Sequence, residues 1–278
     1  MNLPDFDALW GERYGASAGR PAAAEGVASL LGHLLRHRTV RAYLDRPLDV
    51  GALDLIVGAA QSAATSSNLQ AWSLVAVQDP ARKARLADFA GGQSHVREAP
   101  LLLVWLADLS RLDRNAARLG IPSDANRYLE MFLVAAIDAA LAAQNAVLAA
   151  EALGLGTSYI GAMRNKPEAV AAELELPPRV FPVFGLTVGW PDPARPAAIK
   201  PRLRQPAIVH HETYSAQAGT EVEAVMAYDA TMAAFQRSQG MKEVAWSQQS
   251  SQRVSGPGSL SGRDRLVEAI RALGFELE

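Results

Sequence analysis

The sequence predicts an α+β fold, one sheet of few strands beneath a large helical layer. Three observations carry this. Residues 128–153 are alanine-rich and apolar over a length only a helix uses well. Strand-like runs at 73–78, 99–108, 157–163 and 180–190 alternate with helical segments but are few. No GxGxxG follows the first such run and no GxxxxGKS/T occurs, so neither a Rossmann dinucleotide site nor a P-loop is predicted.

In chain order, residues 1–25 read as a loosely held arm carrying Gly15, Gly19 and Pro21, with one helical turn near Phe6 and Trp10. A helix follows over 27–36. Asp49 is positioned to cap a second helix ending at Gln61, with Leu53, Ile56, Val57 and Ala60 at helical spacing. Residues 63–68 form a small polar break. The first strand, 73–78, closes at Asp79-Pro80, and a short helix over 81–89 stops at Gly91-Gly92. Residues 99–108 are nearly all apolar, which predicts a strand covered on both faces. Residues 109–126 read as a polar connection. The 128–153 helix is apolar over more than one stripe and should be buried on several sides, in the core or at a subunit interface. A strand over 157–163, a short helix over 167–174 begun by Pro167, and a strand over 180–190 complete the sheet. A helix spans 222–239. Residues 241–262, rich in Ser, Gln and Gly, read as a flexible segment, and a last helix covers 260–273. The chain thus divides into an arm (1–25), a main domain (26–240) and a flexible segment with a closing helix (241–278).

The 278 residues include no cysteine, which excludes disulfides and thiolate chemistry. The five histidines lack metal-binding spacing, so redox chemistry requires an organic cofactor. A formal net charge of −2 gives no sign of a nucleic-acid or acidic-membrane partner. The N-terminus has no apolar signal region. The 128–154 stretch is interrupted by Glu130, Asp138, Gln144, Asn145 and Glu151, which argues against a membrane span. A cytoplasmic location is the expectation.

The most chemical stretch is His37-Arg38-Thr39-Val40-Arg41, which puts imidazole, hydroxyl and two guanidinium groups within five residues. Arginine forks match phosphate geometry and a hydroxyl adds a donor. Lys200-Pro201-Arg202 supplies a second cationic pair, which can meet the first only through folding. Read alone, the first cluster equally suits a solvated surface, Thr65-Ser66-Ser67-Asn68 a plain turn, and Tyr159-Ile160-Gly161-Ala162 a strand end.

Taken together and in order, these segments resemble the nitroreductase family of FMN-dependent NAD(P)H oxidoreductases, in particular its oxygen-insensitive NADPH nitroreductases and flavin reductases. The resemblance also uses Gly91-Gly92-Gln93-Ser94-His95-Val96, Ala150-Glu151-Ala152-Leu153-Gly154-Leu155-Gly156, Phe184-Gly185-Leu186-Thr187-Val188-Gly189-Trp190-Pro191 and Lys200-Pro201-Arg202-Leu203. It implies a mainly antiparallel central sheet covered by helices, an intertwined homodimer, FMN as cofactor, and NADPH or NADH as reductant. His37, Thr39, Lys200 and Arg202 would surround the flavin phosphate. Arg41 would lie near N1 and O2 of the ring, Arg38 would brace the loop through a salt bridge, and Gln93 would bond the ring edge. Tyr159, Ile160, Gly161 and Ala162 would line one ring face, and Thr65, Ser66, Ser67 and Asn68 would arrive from the partner subunit. Nitroaromatics or quinones would accept electrons by a ping-pong mechanism. A flavin reductase supplying reduced FMN, or a non-catalytic flavin carrier, are the alternatives. Ala162 stands where relatives often have a second glycine. Arg237 and Lys242 are the candidates for a nucleotide 2′-phosphate, with Glu243 opposing them, and the N-terminal arm has no counterpart in compact relatives.

Overall fold

The computed structural model describes residues 6–15, 25–214 and 218–278. In chain order, α1 (Phe6–Tyr14), α2 (Glu25–Leu35), α3 (Ala52–Gln61) and β1 (Trp72–Val77) come first. Next are α4 (Pro80–Phe89), α5 (Ser94–Glu98), β2 (Leu101–Asp108), α6 (Ser110–Leu119) and α7 (Leu129–Ala152). β3 (Gly156–Ile160), α8 (Pro167–Glu173), β4 (Val180–Gly189), α9 (Ala218–Ser238), α10 (Trp246–Arg253) and α11 (Leu266–Ala272) complete the chain. These elements form two compact units, Met1–Arg38 with Ala197–Leu260, and Thr39–Pro196 with Ser261–Glu278.

The second unit holds the sheet. Its order is β1-β2-β4-β3 and every pairing is antiparallel. All eight residues of β2 are buried, which explains its unbroken apolar sequence. Alternation then sorts its side chains. Leu101, Leu103 and Trp105 pack with Ile56 of α3 and Ala142, Ala146 and Val147 of α7. Leu102, Val104 and Leu106 face the other way, onto Leu86 of α4, Met163 and Val170. The alanines of α7 are what let that helix lie close to the sheet.

Two close approaches fix the β3 edge. Val40 donates its N–H to the Thr157 carbonyl (2.8 Å), and Thr39 bridges Thr157 in parallel. A Cβ built at Gly156 would lie 2.6–2.8 Å from the carbons of the Val40 side chain, so only glycine fits. Gly156→Ala is expected to destabilise the protein by about 1–3 kcal/mol through overpacking, measurable by urea unfolding. On β4, a bulge falls where Trp105 pairs with Phe184 and Leu106 with Pro182, leaving Val183 without a partner in the ladder. Pro182, which lacks an N–H, is tolerated at such a place.

The first unit is helical. Leu9, Trp10 and Leu35 form a small core with Phe6, Tyr14 and Ile199 around it.

Several segments differ from their sequence expectation. The arm's helix runs over all of α1 rather than one turn, while residues 1–5 and 16–24 of the arm lie outside the described residues. Asp49 does not cap α3. Gly51 (φ +81°) precedes the helix, and Asp49 pairs with Arg46 at 3.0 Å. The polar 109–126 connection contains α6, whose buried start (Leu109, Ser110) is held by Asp108. Residues 241–262 contain α10 and a turn rather than a structureless flap. The strand predicted to reach Met163 ends at Ile160, where a 3-10 turn (Gly161–Asn165) begins. α7 is long and apolar enough to cross a membrane by composition. Eight of its residues are nevertheless buried in the protein, Asp138 among them.

Candidate functional site

In the first unit the two basic segments are tied together by a residue the sequence did not single out. Arg13, 5% exposed at the end of α1, donates to the carbonyls of Leu35 (2.8 Å), His37 (2.7 Å) and Lys200 (2.7 Å). Its own carbonyl accepts the Arg202 N–H at 2.9 Å. A planar guanidinium with five donors serves three carbonyls in a way an ammonium cannot. The backbone of His37 is thereby brought to that of Lys200 and Arg202. The Arg202 guanidinium donates through Nη1 to the Lys200 and Pro201 carbonyls (3.1 and 3.2 Å). Arg38 is exposed and bonds the Arg36 carbonyl (3.3 Å), not a carboxylate, so the expected salt bridge is corrected to a backbone contact.

In the second unit, residues 39–42 are extended. Val40 and Ala42 are buried and Thr39 and Arg41 exposed, so the latter two share one side. Arg41 acts electrostatically on His95, a buried imidazole whose Nε2 has no hydrogen-bond partner. Burial lowers the pKa of His95, the positive charge of Arg41 lowers it further, and Glu98 opposes both. His95 therefore stays neutral near pH 7 and does not compete with Arg41 for an anion. Two residues earlier, Gln93 is fixed by donating from Nε2 to the Ala90 carbonyl (2.9 Å).

The 3-10 turn after β3 lies beside this loop, and a Cβ on Gly91 would stand 3.8 Å from Asn165 Nδ2. Tyr159, 39% exposed, packs edge-on to Phe184 with ring centroids 5.3 Å apart. Arg164 holds the turn by donating to the Val183 carbonyl, the residue the β4 bulge leaves out of the ladder. Burial, with the charge of Arg263 in addition, lowers the Arg164 pKa. A Cβ on Gly161 would project to 3.4 Å from the Arg164 guanidinium. Ser158 Oγ in β3 and Asn165 Oδ1 at the end of the turn are buried without hydrogen-bond partners. Buried polar atoms usually find a hydrogen-bond partner, so these two stand out.

The Thr65–Asn68 segment is a strained turn. Ser67, Asn68 and Gln70 adopt positive φ (48°, 55° and 50°), and none is glycine. Asp138, 2% exposed in α7, holds it by accepting from Thr65 Oγ1 (2.5 Å), Ser66 N (3.1 Å) and Ala71 N (3.3 Å). Arg237, offered for a nucleotide phosphate, pairs with Glu243 at 2.8 Å, while Lys242 is exposed beside them.

Within the first unit the backbone of His37 is thus joined to that of Lys200 and Arg202, and the second unit is an antiparallel sheet covered by helices, an α+β fold. The Nitroreductase family model matches residues 34–190, and that of the family's C-terminal domain matches residues 200–278. The chain belongs to the nitroreductase family. It is 40% identical over 219 residues to FMN reductase (NADPH) of Bacillus subtilis (strain 168), covering 78% of this chain and 87% of that protein. It is 38% identical over 219 residues to an NADPH-dependent oxidoreductase of Staphylococcus aureus (strain USA300), covering 77% and 86%. The solved structure of NfrA1 from B. megaterium matches with a TM-score of 0.83 at 39% identity, over 89% of this chain and 99% of that one. NADPH:FMN oxidoreductase from Vibrio harveyi, solved in complex with NAD+, matches with a TM-score of 0.78 at 30% identity, over 89% and 99%.

Proposed function

We propose that this chain is an FMN-dependent NAD(P)H oxidoreductase that reduces nitroaromatic or quinone acceptors. The observation that carries the reading is the Arg13 clamp, which joins the His37 and Lys200 segments into one cationic locus. FMN, when bound, supplies a two-electron redox centre between reduced nicotinamide and acceptor.

The chain's own groups then have separable tasks. His37, Thr39, Lys200 and Arg202 hold the phosphate, with Arg38 at the rim. Arg41 stabilises negative charge at the ring edge, aided by a neutral His95. Gln93 orients the ring, and Tyr159, Ile160, Gly161 and Ala162 line one face. Thr65, Ser66, Ser67 and Asn68 reach the partner subunit's flavin. Reductant and acceptor occupy the same open face in turn, which predicts ping-pong kinetics. The Arg237–Glu243 pair offsets the positive charge a 2′-phosphate would need, so both NADH and NADPH serve, with Lys242 giving the residual preference.

A homodimer is supported by α7. Leu129, Leu133, Ile137 and Leu141, spaced by four, are 44–56% exposed and form one apolar stripe. Ile137→Glu is expected to convert the dimer to monomer, read by sedimentation velocity. A dimer that persists in this variant would place the interface elsewhere.

The reading is tested by titrating the yellow protein with NADH and NADPH without oxygen. The flavin band should bleach, and a band that stays would leave a carrier rather than an enzyme. Initial rates against nitrofurazone, a quinone and free FMN should give parallel double-reciprocal lines. Preferred turnover of free FMN would favour the flavin reductase reading, which the names of the relatives support. Arg202→Ala should weaken FMN binding about tenfold or more, since a charge-assisted contact is worth roughly 1.5–3 kcal/mol. Unchanged affinity would remove Arg202 from the phosphate set.

A further inference from the structure

A cavity lies wholly within the first unit, and of the groups assigned above only Arg202 lines it. It measures about 520 Å³, and its walls include Tyr14, Arg202, Leu203, Ile208, Tyr228 and Trp246. That volume suits a ligand of one or two fused rings.

The chemistry of the walls is one-sided. Among the described residues, three aromatic rings and branched aliphatic side chains supply most of the surface, Arg202 is the one cation in the walls, and no carboxylate lines the space. Tyr228 is 8% exposed, donates to the Pro201 carbonyl (2.9 Å), and meets Trp246 edge-to-face at 5.4 Å. Burial raises the pKa of its hydroxyl, the charges of Arg202 and Arg13 act to lower it, and that of Asp229 to raise it. Arg202 has five N–H donors in a fork, enough to serve anions on two sides.

The aromatic wall is preformed. Ser247 donates from N and Oγ to Asp229 (2.9 and 2.5 Å), fastening α10 to α9. The buried Gln236 amide brackets Val244, donating to its carbonyl (3.1 Å) and accepting its N–H (2.9 Å). Trp246 lies between these two fastenings, which fix the backbone that carries it.

We infer that this cavity binds a planar aromatic anion, an arene bearing a carboxylate or sulfonate, with its ring against Tyr228 and Trp246 and its charge toward Arg202. The inference does not require the flavin assignment. Flat π-faces select an aromatic body, and the Arg202 guanidinium in the wall selects a negative group.

The test titrates FMN-saturated protein with 8-anilinonaphthalene-1-sulfonate. One saturable, blue-shifted site per chain is expected, and its absence overturns the inference. Trp246→Ala and Ile208→Trp, the first removing a wall and the second filling the mouth, should each weaken the dye at least about tenfold while flavin content stays constant. If Trp246→Ala fails to fold, Ile208→Trp carries the test, because Ile208 lies exposed on a turn. Unchanged dye affinity in the folded variants places the dye elsewhere and overturns the site. The uncharged analogue N-phenyl-1-naphthylamine should bind about tenfold more weakly, and equal affinity would overturn the anionic part.

Discussion

Arg13→Ala is expected to yield a colourless, poorly stable protein. The guanidinium serves the carbonyls of Leu35, His37 and Lys200, and truncation removes this donor from all three at once, the Lys200 carbonyl keeping only Arg202 Nη1 among the contacts described above. A buried carbonyl that loses its partner costs about 1–3 kcal/mol, and the Lys200 end regains some hydration, so a total loss of about 3–5 kcal/mol is expected. Arg13→Lys should rescue little. A single ammonium on a flexible stem cannot present donors in three directions with the spacing of a planar fork. The functional effect follows from the same contacts. Without the clamp the His37 and Lys200 segments lose their shared anchor, and the locus proposed for the flavin phosphate comes apart. Urea unfolding of the flavin-free protein gives the stability change. The ratio of flavin to protein absorbance gives the occupancy. A variant destabilised as expected but still fully yellow would show that the meeting of the two basic segments is not what binds the phosphate.

The parts of this molecule that were readable in the sequence are those written in side-chain pattern. β2 is buried on both faces, so its residues are apolar without interruption, and α7 packs closely, so it is rich in alanine. The order of the chemical motifs was also legible, because each keeps its residue types over a short span. What escaped notice depends on backbone atoms as partners. Arg13 bonds only carbonyls in the contacts described above, and a carbonyl leaves no trace in residue identity. The same reason hid the order of residues 241–253, whose Ser and Gln content reads as flexible. Gln236 and Asp229 bond their backbone and hydroxyls from α9. α6 was hidden differently. Arg111, Asp113, Arg114 and Arg118 make it polar in sum, although Leu112 packs inward and Arg111 bonds the Gln70 and Trp72 carbonyls. Asp49 failed as a helix cap because the glycine two residues on turns the chain through a left-handed conformation before α3 begins.

Asp138→Asn should be nearly as costly as the loss of Arg13, despite changing one atom. In composition this carboxylate only interrupts an apolar stretch. In the structure it accepts three donors, with Oδ2 taking Thr65 Oγ1 and Ala71 N, and Oδ1 taking Ser66 N. An asparagine must put its NH2 at one of these positions. At Oδ2 it opposes the Ala71 N–H, and at Oδ1 it opposes the Ser66 N–H. Either orientation sets donor against donor in a buried site, and a loss of about 2–4 kcal/mol is expected. The turn it restrains carries Ser67, Asn68 and Gln70 at positive φ, conformations that cost of order 1 kcal/mol or more each and persist only under restraint. Released from Asp138, the turn should relax toward negative φ and withdraw Thr65–Asn68 from the position proposed over the partner subunit's flavin. The expected signature is a fall in kcat/KM for NADPH of at least about tenfold at temperatures where the variant is still folded, beyond what the stability loss explains. Asp138→Asn that unfolds earlier yet keeps wild-type kcat/KM when folded would make the restraint purely structural, and would remove Thr65–Asn68 from the catalytic dimer.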